Sequence, residues 1–181
     1  MKAALAVATA GGVGFGPWAP GTWGAGLAVL LFPLLIRLDL AVSGLLVVLV
    51  GGLGVWAAGA VEGHFGRVDD GRIVIDEVVG QWITLLPIAL LGRQQLGALD
   101  VFLGLEGRIG PFAGIDASWL LVVTAFVAFR WFDIRKPGPV RWAERRFEGG
   151  TGVMADDVVA GLLGAGIVTL PACVLAGARL E

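Results

Sequence analysis

The sequence has almost none of the residues that build disulfides or transition-metal sites. Its 181 residues include one cysteine, Cys173, and one histidine, His64, and only 15% of them are charged. A single cysteine excludes an internal disulfide and a cysteine cluster for zinc. A single histidine excludes a histidine-rich metal site. Neither a cysteine cluster nor a histidine-rich metal site can therefore form within this chain.

What the chain has instead is apolar surface. Hydrophobic residues make up 57% of the sequence, and there are 30 glycines. Small residues let membrane helices approach one another closely. The length allows one domain, residues 1–181, with four or five helices of membrane-spanning length. We therefore predict an all-α integral membrane protein, folded as a compact bundle of four to five transmembrane helices.

Polar and glycine- or proline-rich breakers divide the apolar sequence into five predicted segments. They cover residues 23–36, 40–61, 73–91, 117–134 and 156–178. The first, with 14 residues, would be about 21 Å long as a helix, which is short for a hydrocarbon core of roughly 30 Å. It therefore either crosses with help from tilt and thinning or is re-entrant. Residues 96–105 are predicted to form a short helix on the membrane surface.

Carboxylates cluster at the ends of these segments. They are Asp76, Glu77, Asp133, Asp156 and Asp157. An ionised carboxylate at the edge of hydrocarbon is costly unless it has a partner, a water-filled cavity or a cation. If all five segments cross, every one of these acids lies on the same side of the membrane. We predict that the five form a shared catalytic site for a divalent metal.

A glycine- and proline-rich motif, residues 15–24, precedes the first segment. Such a turn can aim backbone N–H groups near Gly21 and the Thr22 hydroxyl at an anion, helped by the helix dipole. The alternative is that Thr22 is an ordinary N-cap. Taken alone, the motif favours the N-cap.

Basic residues surround the fourth segment's end. Arg130 and Asp133 are three residues apart, so a simple intrahelical ion pair is one interpretation. However, one aspartate does not require all the cations found here, which are Arg130, Arg135, Lys136 and Arg141. Guanidinium groups match phosphate oxygens in bidentate geometry, which favours phosphate binding.

The glycine-rich stretch 149–152 is predicted to be a turn that leads into Asp156 and Asp157. Two adjacent acids after such a turn suit Mg²⁺, which typically takes one or two carboxylates plus waters and substrate phosphate.

These four motifs, in this order, resemble the phosphatidylglycerophosphatase A family. The matching residues are Ala19-Pro20-Gly21-Thr22 with Gly24, Asp76-Glu77 with Gly80, Phe129-Arg130, Phe132-Asp133, Lys136-Pro137, Pro139, Gly149-Gly150, Gly152, Met154 and Asp156-Asp157. The resemblance covers residues 15–161. Ala25 stands where the family commonly has serine, and Glu144 where aspartate is common.

The resemblance implies a Mg²⁺-dependent phosphatase of the bacterial inner membrane. It would convert phosphatidylglycerophosphate to phosphatidylglycerol and phosphate at the cytoplasmic face. The expected partners are this phospholipid and the bilayer, and no nucleic acid. A cation would neutralise the carboxylates and the phosphate oxygens, and Arg130 and Lys136 would take the remaining charge. Water would attack phosphorus with one carboxylate as general base; attack by an aspartate or by Thr22 is the alternative.

Other classes fit the sequence less well. A membrane cation transporter could use helix-end carboxylates, but its sites usually lie near the midplane and its path would not tolerate adjacent arginines. A CDP-alcohol phosphotransferase would carry the signature D-G-x-x-A-R, which is absent. Histidine-dependent lipid phosphatases need more than His64.

The distribution of charge predicts the orientation. With five crossings, nine of the 13 Lys and Arg residues lie on the face formed by the N-terminus and residues 62–72 and 135–155. Loops rich in Lys and Arg stay in the cytoplasm. We therefore expect Arg72 and Arg146 on the cytoplasmic side and Arg108 on the opposite side. Cysteine-accessibility labelling in oriented membranes would measure this, and labelling of position 108 from the cytoplasm would contradict it.

Overall fold

The computed structural model describes residues 1–66, 70–92 and 117–177, and for 91–92, 117–119 and 171–177 it describes the backbone alone. Within these ranges the chain forms helices and no strand, so the all-α prediction is confirmed. The helices are α1 (Lys2–Ala8), a 3-10 turn (Val13–Phe15), α2 (Pro20–Arg37), α3 (Leu40–Phe65), α4 (Ile75–Gly92), α5 (Ala117–Arg135), α6 (Gly138–Arg146) and α7 (Gly149–Gly177). The predicted surface helix at 96–105 lies outside the described residues.

Three of the described helices are long and apolar enough to cross a membrane. They are Pro20–Arg37, Leu40–Phe65 and the Gly149–Leu170 part of α7. The first is longer than predicted, because it begins at Pro20 and has 18 residues. At 1.5 Å per residue it is about 27 Å long. The extra residues at the N-terminal end therefore bring the helix close to the length needed to cross the membrane.

Helix α4 lies at the centre of the bundle and packs against α7, α2, α3 and α5. Its closest approach is to α7, where the Thr84 hydroxyl donates to the carbonyl oxygen of Gly161 at 3.1 Å. A Cβ atom added to Gly161 would lie 2.5 Å from the carbonyl oxygen of Gly80. Glycine is therefore what lets these two helices touch through their backbones.

The last helix begins earlier than predicted. The glycine-rich stretch 149–152 was predicted to be a turn before Asp156, but it forms the first turn of α7. Gly150 serves close packing here, because a Cβ added to it would meet the backbone of α3 at Val55 and Gly59. Contacts of this kind can outweigh the low helix propensity of glycine. The acids Asp156 and Asp157 therefore lie about two turns inside the helix.

The connection between α5 and α7 also contains structure that the sequence did not predict. Helix α6 follows Pro137 and buries Val140 and Ala143 completely. Proline suits this place because Pro139 occupies the first turn, where its missing N–H has no intrahelical acceptor to lose. The helix follows α5 directly and packs against α7.

The glycine packing makes a stability prediction. Gly161→Ala should lower the free energy of unfolding by about 1–3 kcal/mol relative to Gly166→Ala, because overpacking forces the backbones apart. Both substitutions carry the same gain in helix propensity, and Gly166 has open space around it. Thermal unfolding of the two variants in the same detergent would measure the difference. Equal melting temperatures would contradict the close contact between α4 and α7.

Candidate active site

Three carboxylates from two helices meet at one end of the bundle. Asp76 and Glu77 lie in the first turn of α4, and Asp157 lies in the third turn of α7. Each offers an oxygen atom, and these oxygens lie within 4.8 Å of one another. Asp76 and Asp157 are buried, with 6% and 3% of their surfaces exposed. Like charges this close repel one another strongly where water is scarce, so the group needs a compensating charge.

The chemistry of these oxygens fits a hard divalent cation. The second oxygen of Glu77, Oε2, is buried and has no hydrogen-bond partner among the described residues. A buried carboxylate oxygen is normally satisfied by a donor or a cation. Mg²⁺ prefers oxygen ligands and takes carboxylates together with waters and phosphate. The residues that would hold such an ion are Asp76, Glu77 and Asp157.

Helix α5 adds a fourth acid and a cation to the group. Asp133 lies near both Asp157 and Glu77. Arg130 forms an ion pair with Asp133, and its Nη1 lies 3.9 Å from Oε1 of Glu77. The intrahelical pair is therefore present, but the same guanidinium also reaches α4. Arg130 links the acids of two helices.

The start of α2 approaches this group through Gly21. A Cβ added there would collide with Oε1 of Glu77 and lie 2.9 Å from Nη1 of Arg130. Thr22, next to it, is exposed. The N-cap interpretation of Thr22 is wrong, because the helix begins at Pro20 and its N-cap is Ala19. Proline at the first helical position starts the helix before Thr22. The N-terminus of α2, with its dipole, thus points at the acids.

The fifth predicted acid has a different neighbour. Asp156 is adjacent to Asp157, but successive residues of a helix point about 100° apart. Its Oδ2 accepts a hydrogen bond from Nζ of Lys136 at 2.8 Å, and the same Nζ donates to Oε1 of Glu144 at 2.6 Å. Lys136 therefore connects the end of α5 to both α6 and α7, beside the three-carboxylate group.

This double pairing keeps Lys136 charged. Partial burial lowers the pKa of the Lys136 ammonium, but its hydrogen bonds to Asp156 and Glu144 outweigh that effect and raise the pKa above the ordinary lysine value. A raised pKa means that the pairing contributes stability below the ordinary value and loses it only as the pH rises through the raised one. Lys136 is thus a permanent cation at physiological pH.

Arg141 lies away from the acids. It is exposed on α6 and lines an open groove of about 330 Å³ with Gly138, Trp142, Arg145 and Arg146. No ion pair joins it to another residue in the described part of the chain. The structure therefore brings Arg130, Lys136 and Gly21 close to the carboxylates, but it does not bring Arg141 there.

Two residues near the site were missed from the sequence. Gln81 is completely buried on α4, one turn after Glu77. The sequence does contain an indication of Gln81, because it lies four residues after Glu77 within an apolar segment. A polar side chain there shares a helix face with the acid and needs a partner. Glu144 stands out in the sequence only as a departure from the family pattern, because its pairing with Lys136 depends on α6, which the sequence does not predict.

The Lys136 bridge predicts a stability change. Lys136→Met should lower the free energy of unfolding by about 1–3 kcal/mol, since it removes the ammonium that pairs with the buried Asp156 and with Glu144. The loss should be constant between about pH 6 and 9, because the raised pKa of Lys136 lies above that window. Arg141→Met, at an exposed position, should change stability by less than about 0.5 kcal/mol. Thermal unfolding across pH would measure both, and equal effects of the two variants would contradict the bridge.

Comparison with known proteins identifies the family. The family model for phosphatidylglycerophosphatase A matches residues 6–172. A Bacteroides thetaiotaomicron protein named "Putative phosphatidylinositol-3-phosphatase" is 39% identical over 86% of this chain and 85% of its own length. Two proteins named phosphatidylglycerophosphatase A are also similar. The Escherichia coli protein is 33% identical over 87% of this chain and 76% of its own length. The Haemophilus influenzae protein is 35% identical over 83% of this chain and 79% of its own length. No solved structure matches. The resemblance seen in the four sequence motifs is therefore confirmed, and the chain belongs to the phosphatidylglycerophosphatase A family, whose members are phosphatases.

Proposed function

We propose that this protein removes the terminal phosphate of phosphatidylglycerophosphate, with Mg²⁺, at the cytoplasmic face of the bacterial inner membrane. The observation that carries the proposal is the convergence of Asp76, Glu77 and Asp157 beside Arg130. Acids alone would repel a phosphate, and an arginine alone would bind it without activating it. A cation held by the acids, next to a guanidinium, suits a phosphomonoester.

The side-chain carboxylates of Asp76, Glu77 and Asp157 would hold the cation. When bound, Mg²⁺ would supply the positive charge that makes phosphorus susceptible to attack. Arg130, which already reaches toward Glu77, would bind a phosphate oxygen and stabilise the charge that develops there. Gly21, at the N-terminus of α2, would add a backbone N–H donor from the other side.

Asp133 is the best candidate for the general base. It lies beside Glu77 and Asp157 but is outside the three-oxygen group, so it could accept a proton from an attacking water. Its ion pair with Arg130 would hold it in place. Attack by an aspartate or by the exposed Thr22 is the alternative route, which an acid-stable labelled intermediate would reveal. The ion pair between Asp156 and Lys136 would help to hold α7, and with it Asp157, in position.

The proposed placement in the membrane follows from charge and length. Helices α4 and α5 coincide with the predicted third and fourth segments. Counted together with α2, α3 and α7, they would give four or five membrane-crossing helices in total. The end of the bundle that carries the carboxylates also carries Arg135, Lys136 and the arginines of α6. That concentration of positive charge favours the cytoplasmic side. Acyl chains would then lie between helices, with the phosphate at the interface.

A second substrate deserves a parallel test because one relative is named for it. The 39% identical protein carries the name of a phosphatidylinositol-3-phosphatase. The experiment is phosphate release by purified protein from phosphatidylglycerophosphate and from phosphatidylinositol 3-phosphate, each with Mg²⁺ and with EDTA. We expect Mg²⁺-dependent release from the first and a lower kcat/KM for the second. No release from either, by folded protein, would refute the phosphatase proposal and reopen the cation-transporter alternative.

Cation ligands and phosphate-binding residues should differ in their kinetics. Asp157→Ala should abolish turnover or require far more Mg²⁺, because it removes a carboxylate from the cation. Arg130→Ala should lower kcat/KM by about 10²–10³-fold with an unchanged Mg²⁺ dependence, since a guanidinium stabilises phosphate charge and binds no cation. Mg²⁺-titrated kinetics would separate the two effects.

The exposed Glu148→Ala is the matched control for removing an acid near the start of α7, and it should behave as wild type. Arg130→Lys tests whether Arg130 serves only as the ion-pair partner of Asp133. If Arg130 served only to pair with Asp133, lysine would restore activity and melting temperature together. Full activity of Asp157→Ala at ordinary Mg²⁺ would remove that residue from the site.

A further inference from the structure

One buried polar side chain near the site has no role in the chemistry described so far. Gln81 is completely buried on α4, and both its Oε1 and its Nε2 lack a hydrogen-bond partner among the described residues. Nearly all buried polar side-chain atoms in proteins are hydrogen-bonded to protein or to ordered water. An amide with neither atom satisfied is therefore a position that a bound molecule would complete.

The neighbours of Gln81 define where it points. Gly80, before it, faces α5 and α7, where an added Cβ would contact Phe129 and the carbonyl oxygen of Asp157. Trp82, after it, faces α2, because its Nε1 donates to the carbonyl oxygen of Ala28 at 3.1 Å. Gln81 is thus directed between α5 and α2. Those are the same two helices that Glu77 faces, through Arg130 and Gly21.

Position along the helix places Gln81 next to the site. It follows Glu77 by four residues, so the two side chains lie on one face of α4, about 6 Å apart along the axis. A lipid whose terminal phosphate occupies the carboxylate group must lead from there toward its acyl chains. Gln81 lies one turn away from the phosphate position, where the next part of the headgroup would pass.

Arg130 contributes a second unused group. Its Nη1 is engaged by Asp133 and lies near Glu77, but its Nε is buried and has no partner within the described ranges. Together, Gln81 and Arg130 offer an amide N–H₂ and a guanidinium N–H as donors, and the Gln81 carbonyl oxygen as an acceptor. This is a mixed set of donors and one acceptor.

This combination of hydrogen-bond donors and an acceptor indicates which kind of ligand group would bind. A cation would use only oxygen acceptors, and a phosphate only accepts hydrogen bonds, whereas a hydroxyl group both donates and accepts. We propose that Gln81, with Nε of Arg130, forms a subsite that binds a hydroxyl of the polyol bearing the scissile phosphate. In phosphatidylglycerophosphate that is the free hydroxyl of the terminal glycerol. This inference rests on the proposed function and extends it to the choice of headgroup.

Such a subsite would discriminate strongly. A site built to hydrogen-bond a hydroxyl rejects an analogue without it, because its own buried polar groups are then left unpaired. The wild-type kcat/KM should therefore fall at least about 30-fold for an analogue whose headgroup glycerol lacks the free hydroxyl. An ordered water at Gln81 is the other source of the same hydrogen bonds, and it predicts no such preference.

The test combines this deoxy analogue with Gln81→Met, which keeps the length of the side chain and removes both polar atoms. We expect the variant to lose at least about 30-fold in kcat/KM on phosphatidylglycerophosphate and to hydrolyse the two substrates at similar rates. Its melting temperature without substrate should be equal to or above that of wild type, since an unpaired amide stabilises nothing. Leu85→Met, another fully buried position on α4, is the matched control and should keep the full preference for the hydroxyl.

The outcomes are distinct. Equal use of both substrates by wild type would overturn the subsite, as would a Gln81→Met variant that retains the preference. A lower melting temperature with equal losses on both substrates would assign the amide to structure or bound water and would also overturn it. Failure of wild type to release phosphate from either lipid would instead refute the proposed function itself.

Discussion

The constraint on which the site depends is the repulsion among acids that are held together away from water. Asp76 and Asp157 are buried, and Glu77 and Asp133 lie against them. In their ionised form these carboxylates repel one another, and Arg130 offsets only part of that repulsion, so the helices that carry them must also be held together by other contacts. A cation bound among these acids would offset the repulsion and would therefore also stabilise the fold.

The opposing contacts are apolar and close. Gly80 and Gly161 let α4 and α7 meet through their backbones, and Gly150 does the same for α7 and α3. Dispersion between densely packed atoms is weak for each pair but large in sum. Where lipid replaces water around the bundle, this packing is the main force between helices. Glycine therefore provides the tight packing that offsets the carboxylate repulsion.

The sequence predicted the helical class, and it marked as site residues five acids, three of which (Asp76, Glu77 and Asp157) form the close carboxylate group. It could not show that residues 149–152 are helical. Low propensity favours a turn there, and only contact with Val55 and Gly59 of α3 reverses that preference. It also could not separate the partners of Asp156 and Asp157, because the difference depends on Lys136 and the unpredicted α6. Long-range packing decides these points, and local pattern does not.

The entry to α2 has a consequence for how substrate is received. Trp18 and Ala19 both have positive φ values, 48° and 44°, a conformation that side-chain-bearing residues adopt only when their surroundings impose it. This sharp bend fixes the first turn of α2, and with it Gly21, against Glu77 and Arg130. Gly21 therefore already lies against Glu77 and Arg130 in the structure without a ligand. A phosphate bound there would need little rearrangement of this turn, which lowers the entropic cost of binding.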